Sequence, residues 1–481
     1  MDNSLKKYTK RKYADQVNRM MFSQPRCNIF ASPGMGKTVM TLTALETLTL
    51  VDTDVYPILV IAPKRVANTV WASEAATWAH LKHLKVSKMT GNPNEREAAL
   101  KRHADIYVIN FDNVVWLHEM LDGKTWPFKT VVVDESTRFK NLRVSLQVSK
   151  KGKKFLKFKG GSVRANAMGK NAFKYPRHIN LSGTPAPQGL QDLWGQNWFI
   201  DFGASLGTSF ETFKNRWFIY PRGADGFKTK LTPMPHAERE ITRRIKPHSL
   251  TLDAYDWFPI EKPREIIEYI DMPDKARKQY NTLLRQYAAE IKEDKTITAV
   301  NAAAKTMKLL QFASGMVLDE DGTPHELHRE KLEALESIFE NQQGSPLLVV
   351  YHFKHDMKRI LDKFKFAQVL SSNDRKQKEQ EDAWNEGRIP MLLIHPASCG
   401  HGLSLQHGGH RMVFFTPWWD AELHDQVIER IGPTRQHQSG YKRAVDIYYI
   451  IARKTVDETV RQVLKTKGEV QDAILEAVKW L

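Results

Sequence analysis

Lys37 and Thr38 close the sequence Pro33-Gly34-Met35-Gly36-Lys37-Thr38 within the stretch 27–42, CNIFASPGMGKTVMTL. A lysine there can reach the β- and γ-phosphates of a nucleotide, and a threonine hydroxyl can hold Mg²⁺. Glycines beside them let backbone N–H groups turn inward toward phosphate oxygens. This chemistry needs a buried strand to deliver the loop and a helix that starts at the lysine. The helix then turns its free N–H groups and positive dipole end to the anion. Cys27–Phe30 reads as the strand, and Val39, Met40, Leu42 and Leu45 mark the helix. Ala31 stands where the usual first glycine would be. The plainer alternative is a glycine turn before a core helix.

Asp134 and Glu135 end a second apolar run, TVVVDE at 130–135. In an open α/β sheet, ligands bind at the carboxyl ends of the strands. An aspartate there can hold Mg²⁺, and a neighbouring glutamate can position or deprotonate an attacking water. Acids at strand ends are common, so the pair gains its weight from the glycine-rich loop upstream. His395, Cys399 and His401 straddle a strand end and a glycine turn, with no second ligand cluster at zinc spacing. A metal site is therefore not read there. Trp418 and Trp419 could stack on bases, but packing against their neighbours is the plainer reading. Nothing supports serine- or histidine-based hydrolysis.

These residues need a framework, and the pattern of apolar runs supplies one. YPILVIAP (56–63), DIYVIN (105–110) and TVVVDE (130–135) are short runs with continuously apolar centres, and HINLSG (178–183) reads as a further strand of the series. Such strands are buried on both faces of a parallel sheet. Helices are predicted over 1–26 and 65–80. RVSLQVS (143–149) and KFLKFK (154–159) read as a protruding hairpin, an insertion near 143–160. It carries six lysines, Lys150, Lys151, Lys153, Lys154, Lys157 and Lys159, and is expected to touch nucleic acid. Residues 200–262 are aromatic and basic with little periodicity, and read as an extension followed by a linker. Helices resume over 272–315. A second alternating series follows at 345–353, 368–370, 390–395, 411–416 and 445–452. The fold class is α/β, two mainly parallel sheets flanked by helices, with domains at 1–255 and 256–481.

The bulk properties narrow the class. A chain of 481 residues with 41% hydrophobic residues is long enough for real cores. No apolar run is long enough to span a bilayer, and no hydrophobic segment follows the basic N-terminus, so a secretory signal is not read. Cys27 and Cys399 lie far apart inside predicted elements, which suits a reducing cytoplasm. A net charge of +17 suits a polyanionic partner, with nucleic acid the first choice.

In order along the chain, the motifs resemble those of a superfamily-two helicase of the Swi/Snf type, in a compact form similar to those carried by bacteriophages. ASPGMGKT matches motif I, alanine included. VIAPKRVANTVWASEAATW resembles motif Ia, and VVVDESTRFKN the DExx box with Lys140 and Asn141 behind it. NLSGTPAPQGLQDLW is similar to motif III, and LLVVYHF to motif IV. ASCGHGLSLQHGGHRMVFFTPWWDAELHDQVIERI is very close to motif V running into motif VI, with Pro417-Trp418-Trp419 its most distinctive element. The resemblance implies two RecA-like domains with ATP and Mg²⁺ in the cleft between them and nucleic acid across both, DNA before RNA. Gly34, Gly36, Lys37 and Thr38 would bind phosphate, Thr38 and Asp134 would hold Mg²⁺, and Glu135 would be the catalytic base. Ser182 and Thr184 would couple hydrolysis to movement. Gly402 would let the motif V backbone approach the cleft or the strand. Gln426 and Arg430 would reach toward the γ-phosphate.

Two positions depart from the family pattern. Ala14 stands where the adenine-reading glutamine belongs, and Gln16 is the nearest candidate. The second arginine of motif VI falls on Pro433. A helix over 422–431 that ends at a left-handed Gly432 would leave Thr434 and Arg435 on a turn, from which Arg435 could swing to the cleft as a second catalytic arginine. The chain therefore reads as an ATP-dependent DNA helicase or translocase, a monomer or transient assembly in the cytoplasm, that of the host if phage-encoded. The rivals are a nucleotide-gated DNA-binding or loading module and a P-loop kinase. A kinase would not need the second α/β half.

Overall fold

Short aliphatic runs, buried along their whole length, form the centre of each of two sheets in the computed structural model. It describes residues 5–149, 151–219, 231–293, 299–319, 321–342, 344–398 and 403–466. The chain divides into two units, Met1–Trp257 and Phe258–Leu481. In the first, seven parallel strands lie in the order Ser249–Leu252, Arg26–Ala31, Arg177–Ser182, Thr130–Asp134, Ile58–Ala62, Ile106–Asn110, Val86–Met89. Every residue of the Ile58–Ala62, Ile106–Asn110 and Thr130–Asp134 strands is buried. Helices cover both faces, as a parallel sheet requires. Pairing Phe30 with Ser182 and Leu181 with Asp134 brings three strand ends to one edge of the sheet. The phosphate loop, the Ser182-Gly183-Thr184 turn and the Asp134-Glu135 turn all leave from that edge.

The N-terminal segment departs from the expected helix over 1–26. Only Ala14–Ser23 is helical. Lys6 instead bonds through its backbone to Thr77 and Ala79. The stretch 6–12 carries five lysines and arginines with no apolar stripe, so a helix there would have no face to bury. Residues 200–262 are more ordered than a linker. Helices Phe210–Trp217 and Ala237–Ile245 bury Phe213, Trp217, Ile241 and Ile245 in the main core of this unit, and Ser249–Leu252 completes the sheet beside Arg26–Ala31.

The second unit holds six parallel strands in the order Arg264–Ile270, Asp446–Ala452, Arg411–Phe414, Leu347–Val350, Met391–Ile394, Gln368–Val369. Arg264–Ile270 lies on the edge with mostly half-buried or exposed side chains, and so lacks the continuous apolar signal of its neighbours. Long helices Asp274–Glu293 and Ala299–Ala313 precede the central strands. The Val144–Val148 and Lys154–Phe158 strands pair antiparallel as a separate hairpin in the first unit.

Candidate nucleotide site and nucleic-acid surface

Gly34 and Gly36 take φ of 80° and 81°, the left-handed region where a Cβ is strained. They turn the chain between the Arg26–Ala31 strand and the Lys37–Leu48 helix. Among the described residues no side chain caps that helix, so its first N–H groups could meet an anion. Lys37 and Thr38 are its first residues, and the Lys37 ammonium donates to the carbonyl of Ala31 at 2.9 Å. Gly183 lies against this loop. A Cβ on it would stand 3.1 Å from Pro33 and 3.6 Å from Lys37 Nζ, so a side chain here would crowd Pro33, and glycine lets the two loops touch without that shift. The Ser182 hydroxyl accepts from Thr184 N–H at 3.2 Å and shapes that turn.

Asp134 is buried beside Lys37, and its carboxylate Oδ2 accepts from the indole N–H of Trp71 at 3.0 Å. Burial pushes the Asp134 carboxyl up, while the Lys37 charge, the indole and the Glu135 N–H pull it down. A buried carboxylate next to an ammonium and an uncapped helix start is a donor set that fits a Mg²⁺–triphosphate. Glu135 has φ of 62°, strained for a residue with a Cβ, and begins the Ser136–Phe139 turn of 3₁₀ helix.

A buried polar network behind this edge has no counterpart in the motif reading. Gln196 accepts from the Ser136 hydroxyl at 2.7 Å and donates to the carbonyls of Pro185 at 2.7 Å and Asp192 at 2.9 Å. It thus joins the residue after Glu135 to the segment after Thr184. Asn180 continues the chain to the carbonyl of Gln196 and to Asn28. Tyr13, in sequence an apolar anchor of the N-terminal helix, has a polar role as well. Its hydroxyl donates to the Met35 carbonyl at 2.9 Å, and its ring packs edge-on against Trp257. A buried polar side chain carries no sequence signal of its target, so only the fold exposes these links. Gln16 sits on the first turn of the same helix as Ala14, partly exposed.

In the second unit the helix of motif VI is shorter than expected. It spans Ala421–Ile428, so Gln426 is helical and Arg430 lies past its end. Arg430 folds back, donating through Nε to the Gln426 carbonyl at 2.8 Å and through Nη1 to that of Leu403 at 3.3 Å. The Gln426 amide donates to Glu422. Gly432 is extended, with φ −61° and ψ 164°, and opens a new helix, Pro433–Gln438. The expected left-handed stop and turn are therefore absent, because proline is pre-organised for the first position of a helix. Arg435 lies on that helix and donates to Ser404 Oγ at 3.2 Å. Burial pushes its pKa down, countered by Glu429 and Glu381. The two arginines grip consecutive residues of motif V.

Trp418 stacks between His352, at 3.3 Å, and Trp419, at 3.7 Å. Both tryptophans pack against a core that includes Tyr280, Leu309 and Val456. Burial pushes His352 down to about 3, helped by His395. Among the described residues no group of three metal-ligating side chains occurs. Gly402, Cys399, His401 and Lys150 lie outside the described residues.

In the hairpin, Val144, Leu146 and Val148 share one face with Phe158, Leu156 and Lys154, and Val144 sits in the core at its root. Lys157 pairs with Ser145 on the opposite face. Lys151, Lys153, Lys154, Lys157 and Lys159 are all exposed. Among the described residues, no helix is long and apolar enough to cross a membrane.

Comparison with known proteins agrees with this geometry. The family model of the SNF2-related domain matches residues 16–317. Protein p41 of Acyrthosiphon pisum secondary endosymbiont phage 1 is 43% identical over 478 residues, covering 99% of this chain and 100% of p41. MG018 of Mycoplasma genitalium, named as an uncharacterized ATP-dependent helicase, is 24% identical over 469 residues, and the chain spans only 40% of its length. The helicase domain of Pyrococcus furiosus Hef shares the fold, with a TM-score of 0.50, 14% identity and coverage of 94% of this chain and 97% of that one. With more than half its length matched, the chain belongs to the SNF2-related family, the Swi/Snf type of superfamily-two ATPase.

Proposed function

We propose that the chain is an ATP-driven motor that moves along nucleic acid, with DNA as its track. The observation that carries the reading is the meeting of Lys37, Gly183 and Asp134 at one sheet edge, beside a helix start that has no cap. Lys37, Thr38 and the loop N–H groups of Gly34 and Gly36 would hold the triphosphate. Thr38 and Asp134 would hold Mg²⁺, which when bound neutralises charge on the phosphates. Glu135 would orient and deprotonate the attacking water. Arg430, backed by Gln426, would supply positive charge as the γ-phosphate leaves. Ser182 and Thr184 would pass the change at the phosphates to the rest of the unit.

A net charge of +17 and the exposed lysines of the hairpin support a polyanionic track. The helicase name borne by MG018 supports a motor over a gated loading module. The test is ATP turnover with no nucleic acid, single-stranded DNA, duplex DNA and RNA. Turnover raised at least about tenfold by DNA and less by RNA is expected, a factor worth roughly 1.4 kcal/mol of barrier. Turnover indifferent to every nucleic acid overturns the proposal.

A further inference from the structure

Trp71 has no place in the chemistry set out above, yet its indole is the group that touches the Mg²⁺ carboxylate. The side chain is 1% exposed and donates from Nε1 to Asp134 Oδ2 at 3.0 Å. Among the described residues the buried indole nitrogens of Trp126 and Trp198 have no partner, whereas that of Trp71 is aimed at a carboxylate. A regular helix does not deliver the ring. The residues just before it, Val66–Val70, form a π-helical turn, and the α-helix begins at Trp71 itself. The wider turn resets the phase of the side chains that follow, and such turns gather at functional sites.

We infer that Trp71 is a positioning residue for the metal site: its N–H fixes the rotation of the Asp134 carboxylate so that the group meets Mg²⁺ already oriented. The inference rests on the reading of Asp134 as the Mg²⁺ residue. A carboxylate held by a second partner loses less freedom when it ligates, and removing such a partner typically lowers metal affinity by roughly 10–100-fold. The π turn is then the device that converts a helix of ordinary sequence into a bracket aimed at the end of the Thr130–Asp134 strand.

The experiment measures the affinity of a fluorescent ATP analogue with Mg²⁺ and with EDTA, together with Mn²⁺ binding to the nucleotide complex by electron paramagnetic resonance. Wild type, Trp71→Phe and Asp134→Asn are compared. A further sample carries benzothienylalanine at position 71, which keeps the bicyclic shape and replaces N–H by sulfur, so the core stays filled if phenylalanine disturbs folding. Both changes at position 71 are expected to leave the EDTA affinity unaltered and to reduce the gain from Mg²⁺ by roughly tenfold or more, with a matching loss of Mn²⁺ affinity. Asp134→Asn should abolish the gain. If the benzothienyl protein keeps the full Mg²⁺ gain while Asp134→Asn loses it, Trp71 is only packing and the inference is wrong. If Asp134→Asn keeps the gain, the assignment of Asp134 fails first and takes the inference with it.

Discussion

In the proposed mechanism the chemistry turns on Glu135, and the backbone marks this residue independently of its motif. A φ of 62° on a glutamate is a strained state that the neighbouring contacts must hold in place. Glu135→Gln keeps the shape and loses the base, so ATP should bind at near-normal affinity while hydrolysis falls by roughly 100-fold or more. Lys37→Ala should instead lose nucleotide affinity. Equilibrium binding and single-turnover hydrolysis, measured on both variants, separate the two effects. The motif VI arginines should separate as well. Arg430→Ala is expected to cost about 10³-fold or more in stimulated hydrolysis with binding kept. By sequence, Arg435 is expected on a turn as a second catalytic arginine. Its helical placement between Ser404, Glu429 and Glu381 favours a brace for motif V instead. We propose that Arg435→Ala costs less than about a hundredfold. A loss as deep as that of Arg430→Ala would restore the catalytic role.

The elements tie these residues together, and here the sequence was legible unevenly. The Ile58–Ala62, Ile106–Asn110 and Thr130–Asp134 strands announce themselves because both faces are buried and nearly every residue is apolar, whereas Arg177–Ser182 buries His178 and Asn180 among its apolar residues and is legible mainly through the motif that follows it. The edge strands Ser249–Leu252 and Arg264–Ile270 do not, since each has one open side and a mixed pattern. The loop, the acidic pair and the Ser182–Thr184 turn were legible as motifs, whereas the Trp71 and Gln196 contacts depend on helix phase that no spacing rule supplies. Gly195 shows how tightly the Asp192–Asp201 helix seats on the acidic turn. A Cβ there would stand 2.4 Å from the Lys140 carbonyl oxygen, so Gly195→Ala should destabilise the first unit by about 1–3 kcal/mol, read by urea unfolding. His178, stacked on Phe199 and bonded to Asn180, is pushed down to about 3 by burial, aided by Arg26. The unfolded chain takes up this proton near pH 6.5 and the native state does not, so stability falls as pH drops below that value and levels off near 3. At pH 5 the loss is about 2 kcal/mol, and His178→Gln should remove that share of it. The lysine hairpin makes a separate prediction. Neutralising Lys151, Lys153, Lys154, Lys157 and Lys159 should weaken binding to all DNA sequences alike and flatten the salt dependence by roughly 0.7–0.9 in slope per lost phosphate contact. An unchanged slope and affinity would make the hairpin a solvated loop.

At the scale of the molecule, the division of labour follows the two units. The first carries the phosphate loop, the acidic pair and the basic hairpin, and the second carries motifs IV to VI. A gated binding module needs nucleotide affinity alone. A motor must convert each hydrolysis into displacement, and that difference defines the decisive measurement. A third strand annealed to duplex DNA is mixed with the protein and ATP, and its release is followed against time for wild type and for Glu135→Gln. A motor of this kind releases the strand in an ATP-dependent way as wild type and not as Glu135→Gln, although that variant should still bind both ATP and DNA. DNA-stimulated hydrolysis by wild type without any release of the third strand would rule out a motor that moves along DNA.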